Sequence, residues 1–165
     1  MRLLLLPLAV VLATIACGGT TTGVESSPSA SPVRDVGTVT LSDSGCVYQG
    51  DTTFPAGTIV LHGANQTGDS EVVSMLLLNV GHQYSELATH IADEQKRILA
   101  GADPIGPPTY TVVMFQELVS PNSTLKLTKV IDVAGTYGLI CGRVRGQTAL
   151  GIWVFGPITV TSSTT

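Results

Sequence analysis

Short apolar runs separated by turn-forming residues dominate the chain between residues 36 and 160. Val36 to Leu41 alternates apolar and polar positions and predicts a first strand. Gly45 and Gly50-Asp51 punctuate Cys46-Val47-Tyr48. Pro55-Ala56-Gly57 predicts a turn, and Thr58 to Gly63 a strand with Ile59 and Leu61 on one face. Val72 to Val80 is apolar without alternation, as in a strand covered on both faces. Leu87, Ile91, Gln95 and Ile98 then recur at helical spacing, with Ser85 as a cap, Glu86 in the first turn, Lys96 and Arg97 late, and Gly101 as a stop. A helix over Ser85 to Leu99 follows. After a Pro/Gly loop, Ala102 to Pro108, come strands at Tyr110 to Phe115 and Leu125 to Ile131. A turn at Gly135 leads to a strand from Tyr137 to Cys141, and Ile152 to Phe155 and Ile158 to Val160 close the chain. This pattern predicts a mainly β fold, a Greek-key β-sandwich of about seven strands with one inserted helix.

The ends read differently. Met1-Arg2 and the apolar run Leu3 to Ile15 form a signal-like segment, too short for the roughly 20 residues that span a bilayer. It leads into Thr14-Ile15-Ala16-Cys17, which resembles a bacterial lipobox and marks Cys17 for lipidation; the alternative is an ordinary secretory signal with an incidental Cys. Residues 1–16 are thus expected to be a signal peptide and 17–34 a lipidated Cys with a Gly/Ser/Thr/Pro tether of roughly 20–25 Å. Residues 35–161 are the sandwich domain, and 162–165 a fraying tail. The expected address is the extracytoplasmic face of the cell membrane, held through the lipid on Cys17.

With 44% hydrophobic and 12% charged residues the chain can build a packed core. A net charge of -4 and a pI near 5.1 exclude a concentrated basic face, and with it a nucleic-acid partner. Arg143 and Arg145 read as a solvated turn. Lipidation of Cys17 leaves Cys46 and Cys141 to pair in an oxidising compartment.

Three stretches together resemble a family. GCVYQGDTTFPAGTIVL, NVGHQYSELATHI, and SPNSTLKLTKVIDVAGTYGLICGRVRG followed by LGIWVFGPITV are similar to small cupredoxin-like lipoproteins of bacteria, over about Gly37 to Val160. The resemblance implies a cupredoxin-like sandwich with paired Cys. A blue-copper centre needs two imidazoles, a thiolate and a weak axial Met. In cupredoxins the second His and the Met follow the Cys, whereas Gly142 to Ile152 contains neither.

Other chemistry is sparse. His62 reads as an outward strand residue, Met75 and Met114 as core, and Trp153 and Phe155 as one core and one edge aromatic. His82 and His90, eight residues apart, are weak metal candidates; with Glu86 or Glu94 they offer copper a loose seat. Glu86 and His90 stand at i, i+4, where a surface pair is the simpler explanation. No Gly-x-Ser-x-Gly, His-Glu-x-x-His or phosphate-cradling loop occurs, and the sequence is read as a non-enzyme. The expected function is a non-enzymatic envelope module binding an unidentified envelope protein or ligand through Glu86, His90, Glu94 and Arg97, without a cofactor. The alternative is copper handling in the envelope.

Overall fold

A computed structural model of the chain describes residues 32–163. The signal segment, Cys17, most of the tether and residues 164–165 lie outside the described residues. In chain order come β1 (Arg34–Ser42), β2 (Gly45–Gly50), β3 (Thr53–Pro55), β4 (Gly57–Asn65), β5 (Ser70–Leu78), α1 (Tyr84–Leu99), β6 (Thr111–Val119), β7 (Ser123–Ile131), β8 (Gly135–Arg145) and β9 (Thr148–Thr161). The first sheet has the order β2-β1-β4-β7 and the second β3-β9-β8-β5-β6.

The mainly β sandwich with one inserted helix is present, with nine strands rather than about seven among the described residues. Two of these have no separate strand in the sequence reading. Cys46-Val47-Tyr48 lies within β2, which pairs antiparallel with β1, and Thr53–Pro55 forms a short strand parallel to β9. Ile152 to Phe155 and Ile158 to Val160 are one strand, because Gly156-Pro157 is absorbed as a bulge opposite Gly138. The helix starts at Tyr84 with Gln83 as its N-cap, one residue earlier than Ser85.

Alternation places the core. Val39, Leu41, Ile59, Leu61, Val73, Met75, Leu139 and Ile158 face inward from both sheets. Val36 also points inward although it is three residues from Val39; the bulge between Asp35 and Gly37 resets the phase. Gly37 has φ +133°, and a Cβ there would lie 2.4 Å from the Gln49 carbonyl oxygen, so only glycine fits. Tyr137 is fully buried and its hydroxyl donates to the Val133 carbonyl at 2.5 Å. Strand β5 is covered on both faces: the sandwich core lies on one side, and α1 brings Leu87 and Ile91 against Leu76, Leu78 and Ile140 on the other. Gly138 makes this docking possible, since a Cβ there would meet Leu87 Cδ2 at 2.4 Å.

Buried Asn65 knots the β4–β5 connection. Its amide donates to the carbonyls of Asp69 (2.6 Å), Ser120 (3.2 Å) and Val119 (3.3 Å), while its Oδ1 accepts from the Thr67 N–H and Oγ1, each at 3.0 Å. Asn65→Ala orphans these groups and is expected to cost about 2–3 kcal/mol. A fall in the urea midpoint measures it; an unchanged midpoint refutes the role.

Candidate functional site

Three places gather chemistry-bearing side chains. The first is α1 and the segment 102–108 that returns along it. Glu86 Oε2 accepts the Gln83 N–H at 3.0 Å and lies 2.9 Å from His82 Nδ1. The backbone hydrogen bond first, and His82 second, hold the Glu86 carboxyl below its ordinary range. The His82 ring stacks on Tyr110 with centroids 4.5 Å apart. The expected Glu86–His90 pair does not form. His90 instead donates from Nε2 to the Gly106 carbonyl at 3.0 Å, which fixes its tautomer and ties helix to loop.

Glu94 is the larger correction. Expected on the exposed face, it is 2% exposed and points under the helix. Oε1 accepts the N–H groups of Ile105 and of Gly106 (3.1 Å), which replace water for that oxygen. Oε2 has no hydrogen-bond donor; the half-exposed Arg97 guanidinium stands 3.8 Å away. Arg97 also donates to the Asp103 carbonyl at 3.3 Å. Leu87, Ile91, Glu94 and Ile98 therefore form the buried stripe, not the set containing Gln95. Gln95 caps a different group: its Oε1 accepts the Ile152 N–H at 2.5 Å.

The second place is the sandwich interior. Cys46 of β2 and Cys141 of β8 are joined in a disulfide that links the two sheets. Glu71 of β5 is fully buried beside it, with Oε1 3.4 Å from Cys141 Sγ and Oε2 without a partner. Desolvation pushes its carboxyl up to about 7. Sequence reading passed over Glu71, although it stands in phase with Val73 and Met75. Among the described residues, these three supply the cluster of His, Cys, Asp and Glu ligand atoms lying within 4.8 Å of one another; neither His82 nor His90 belongs to such a cluster.

The third place corrects the solvated-turn reading of the arginines. Arg143 and Arg145 end β8 and both grip the buried Asp69, Arg145 through Nε to Oδ1 at 2.7 Å and Arg143 through Nε to Oδ2 at 2.8 Å. Arg145 above all keeps the Asp69 carboxyl low. This ion triad fastens the β4–β5 turn to the β8–β9 hairpin. His62 is outward as expected and meets Asp35 at 2.9 Å.

No protein-family model matches the chain, and no curated protein matches it. Among solved structures it is similar to auracyanin A, described as a "blue" copper protein from the green thermophilic photosynthetic bacterium Chloroflexus aurantiacus. That match has 16% identity over 80% of this chain and 100% of the other, with a TM-score of 0.42. Auracyanin B gives 18% identity, 81% and 91% coverage, and a TM-score of 0.41. Dithionite-reduced auracyanin from Roseiflexus castenholzii gives 16%, 82% and 99%, and 0.39.

The residues present do not fit a blue-copper centre. Cys141 lies mid-strand in the interior, fully buried and bonded to Cys46. The stretch after it carries no His or Met. His82 and His90 are engaged separately, with Glu86 and Tyr110 in one case and Gly106 in the other.

Proposed function

We propose that this chain is a lipid-anchored, non-enzymatic binding module on the extracytoplasmic face of the cell membrane, tethered through Cys17, with α1 and the segment 102–108 as its recognition surface. The observation that carries this reading is the construction of that surface. A helix and a Pro/Gly segment are laid over an otherwise complete sandwich and fixed to each other by Glu94, His90 and Arg97. An insertion held so firmly, and not needed to close either sheet, is where a rigid scaffold carries specificity. Gly101 and Gly106 both adopt positive φ, which lets the segment double back along the helix. The contributors are Glu86, His90 and Arg97 at the surface, with Glu94 acting from beneath. The copper alternative loses support because His82 and His90 each have another partner.

Photo-crosslinking in intact cells tests the proposal. A photoreactive residue replacing Arg97 is expected to trap a partner, whereas one replacing Lys126 on the far sheet traps none. Equal yields from both positions, or none from Arg97, refute the recognition surface. Cys17→Ser is expected to move the protein from the membrane fraction to the soluble fraction; retention on the membrane refutes the anchor alone.

A further inference from the structure

Beneath α1 the outer face of the second sheet is not fully covered. Leu87 fills the hollow above Gly138. The corresponding hollow above Gly142, four residues further along β8 on the same face, is not filled by the helix. There a Cβ would meet only ordinary contacts, the nearest being Val72 Cβ at 3.7 Å. The result is a cavity of about 200 Å³ between α1, the segment 102–108 and strands β5, β6, β8 and β9. Its walls are mainly apolar: Leu76, Ile91, Ile98 and Ile140 are buried and Ile152 is partly buried. Val113, Gln116, Pro104 and Pro107, all exposed, mark its open side.

One wall residue is out of character. Glu94 lines the cavity with a carboxylate that is 2% exposed, and its Oε2 lacks a hydrogen-bond donor. A buried carboxylate oxygen left without a donor costs free energy that a donor arriving from the cavity recovers. The charge itself already has a counterpart, since Arg97 Nε stands 3.8 Å from Oε2. The missing group is therefore a neutral donor rather than a second cation. An apolar cavity of roughly 150 Å³ holds a benzene ring, so about 200 Å³ suits a ring with a short alkyl chain or a compact branched skeleton.

We propose that this cavity binds a small apolar alcohol or phenol of about ten non-hydrogen atoms, whose hydroxyl donates to Glu94 Oε2. The site lies under the insertion and is separate from the exterior surface of α1. It needs neither the tether nor an envelope partner, so the two readings fail independently.

The test uses the purified protein carrying Cys17→Ser, which needs no detergent to keep a lipid in solution. The probes are 4-propylphenol and propylbenzene, nearly equal in size and differing in the hydroxyl. Methyl NMR follows Leu76, Ile91, Ile98, Ile140 and Ile152. The phenol is expected to shift these methyls with a submillimolar Kd and to bind at least tenfold more tightly than the hydrocarbon. In Glu94→Gln the loop N–H groups keep an amide oxygen and the cavity receives an amide N–H, so the tenfold preference collapses. Gly142→Leu is expected to abolish binding of both probes. Gly142→Ala, whose added methyl meets no close contact, weakens both several-fold in a fold left intact. No methyl shift with either probe at 1 mM overturns the proposal. So does equal affinity for both probes, a preference that survives Glu94→Gln, or binding that Gly142→Ala leaves unchanged.

Discussion

Replacing Cys46 and Cys141 together by Ala is expected to lower the stability of the domain by about 4–5 kcal/mol. The bridge closes a sequence separation of 95 residues, near the top of the range over which loop closure restrains an unfolded chain. It also joins β2 of one sheet to β8 of the other, so without it the covalent tie across the core between the sheets is lost. With a urea m-value of about 2 kcal/mol/M, the midpoint should fall by about 2 M. A fall of less than roughly 0.5 M would show that the unfolded chain is restrained by something other than the bridge. Cys141 is fully buried, so a thiol reductant should reach the bond only when the domain opens. Reduction is therefore expected to be slow in buffer and to accelerate steeply as urea approaches the midpoint.

Glu71→Gln is expected to stabilise the domain at pH 8 and to do much less at pH 4.5. The folded carboxyl titrates at about 7 against an ordinary value of 4.5, and burial is the cause. Below pH 4.5 the acid is neutral in both states and costs nothing by ionisation. Between 4.5 and 7 the unfolded chain releases the proton while the folded chain holds it, so stability falls as pH rises. Above 7 both forms are ionised and the loss levels off, at most about 3 kcal/mol below the acidic plateau. Asp35 and Glu86 work in the opposite sense, since hydrogen bonds lower their pKa values and their contribution is lost only at more acidic pH. The two windows barely overlap. Urea midpoints of parent and variant at pH 4.5 and 8 decide the matter: a gap that widens towards pH 8 is expected, and a constant gap refutes the assignment.

Glu71 and Glu94 also show where pattern reading reached its limit. Glu94 stands at the helical interval from Leu87, Ile91 and Ile98, and Glu71 at the strand interval from Val73 and Met75. Periodicity alone places both acids inside. Glu94 is read from sequence as a surface residue and the stripe is completed with Gln95, whereas Glu71 falls just before the predicted strand Val72 to Val80. What admits Glu94 is a pair of backbone N–H groups from residues far along the chain, which no local window contains. The features carried by hydrophobic phase were legible: the doubly covered β5, the inserted helix and the sandwich itself. Cysteine count brought Cys46 and Cys141 together. The Arg143–Asp69–Arg145 triad was not legible, because it depends on which turn the β8–β9 hairpin meets. Strands β2 and β3 escaped notice because glycine and proline at their ends looked like turns and their pairing partners are distant in one case.

The parallel pairing of β3 with β9 has a consequence for the order of assembly. Residues made among the first of the domain find their partner among the last, Phe54 opposite Val160 and Pro55 opposite Thr161. A chain emerging from its N-terminus onward cannot complete the second sheet until nearly its whole length is free. Until then the edge of β8 that β9 will cover stays open. Such an architecture delays closure of the second sheet until the chain is nearly complete, and leaves a strand edge unpaired in the meantime.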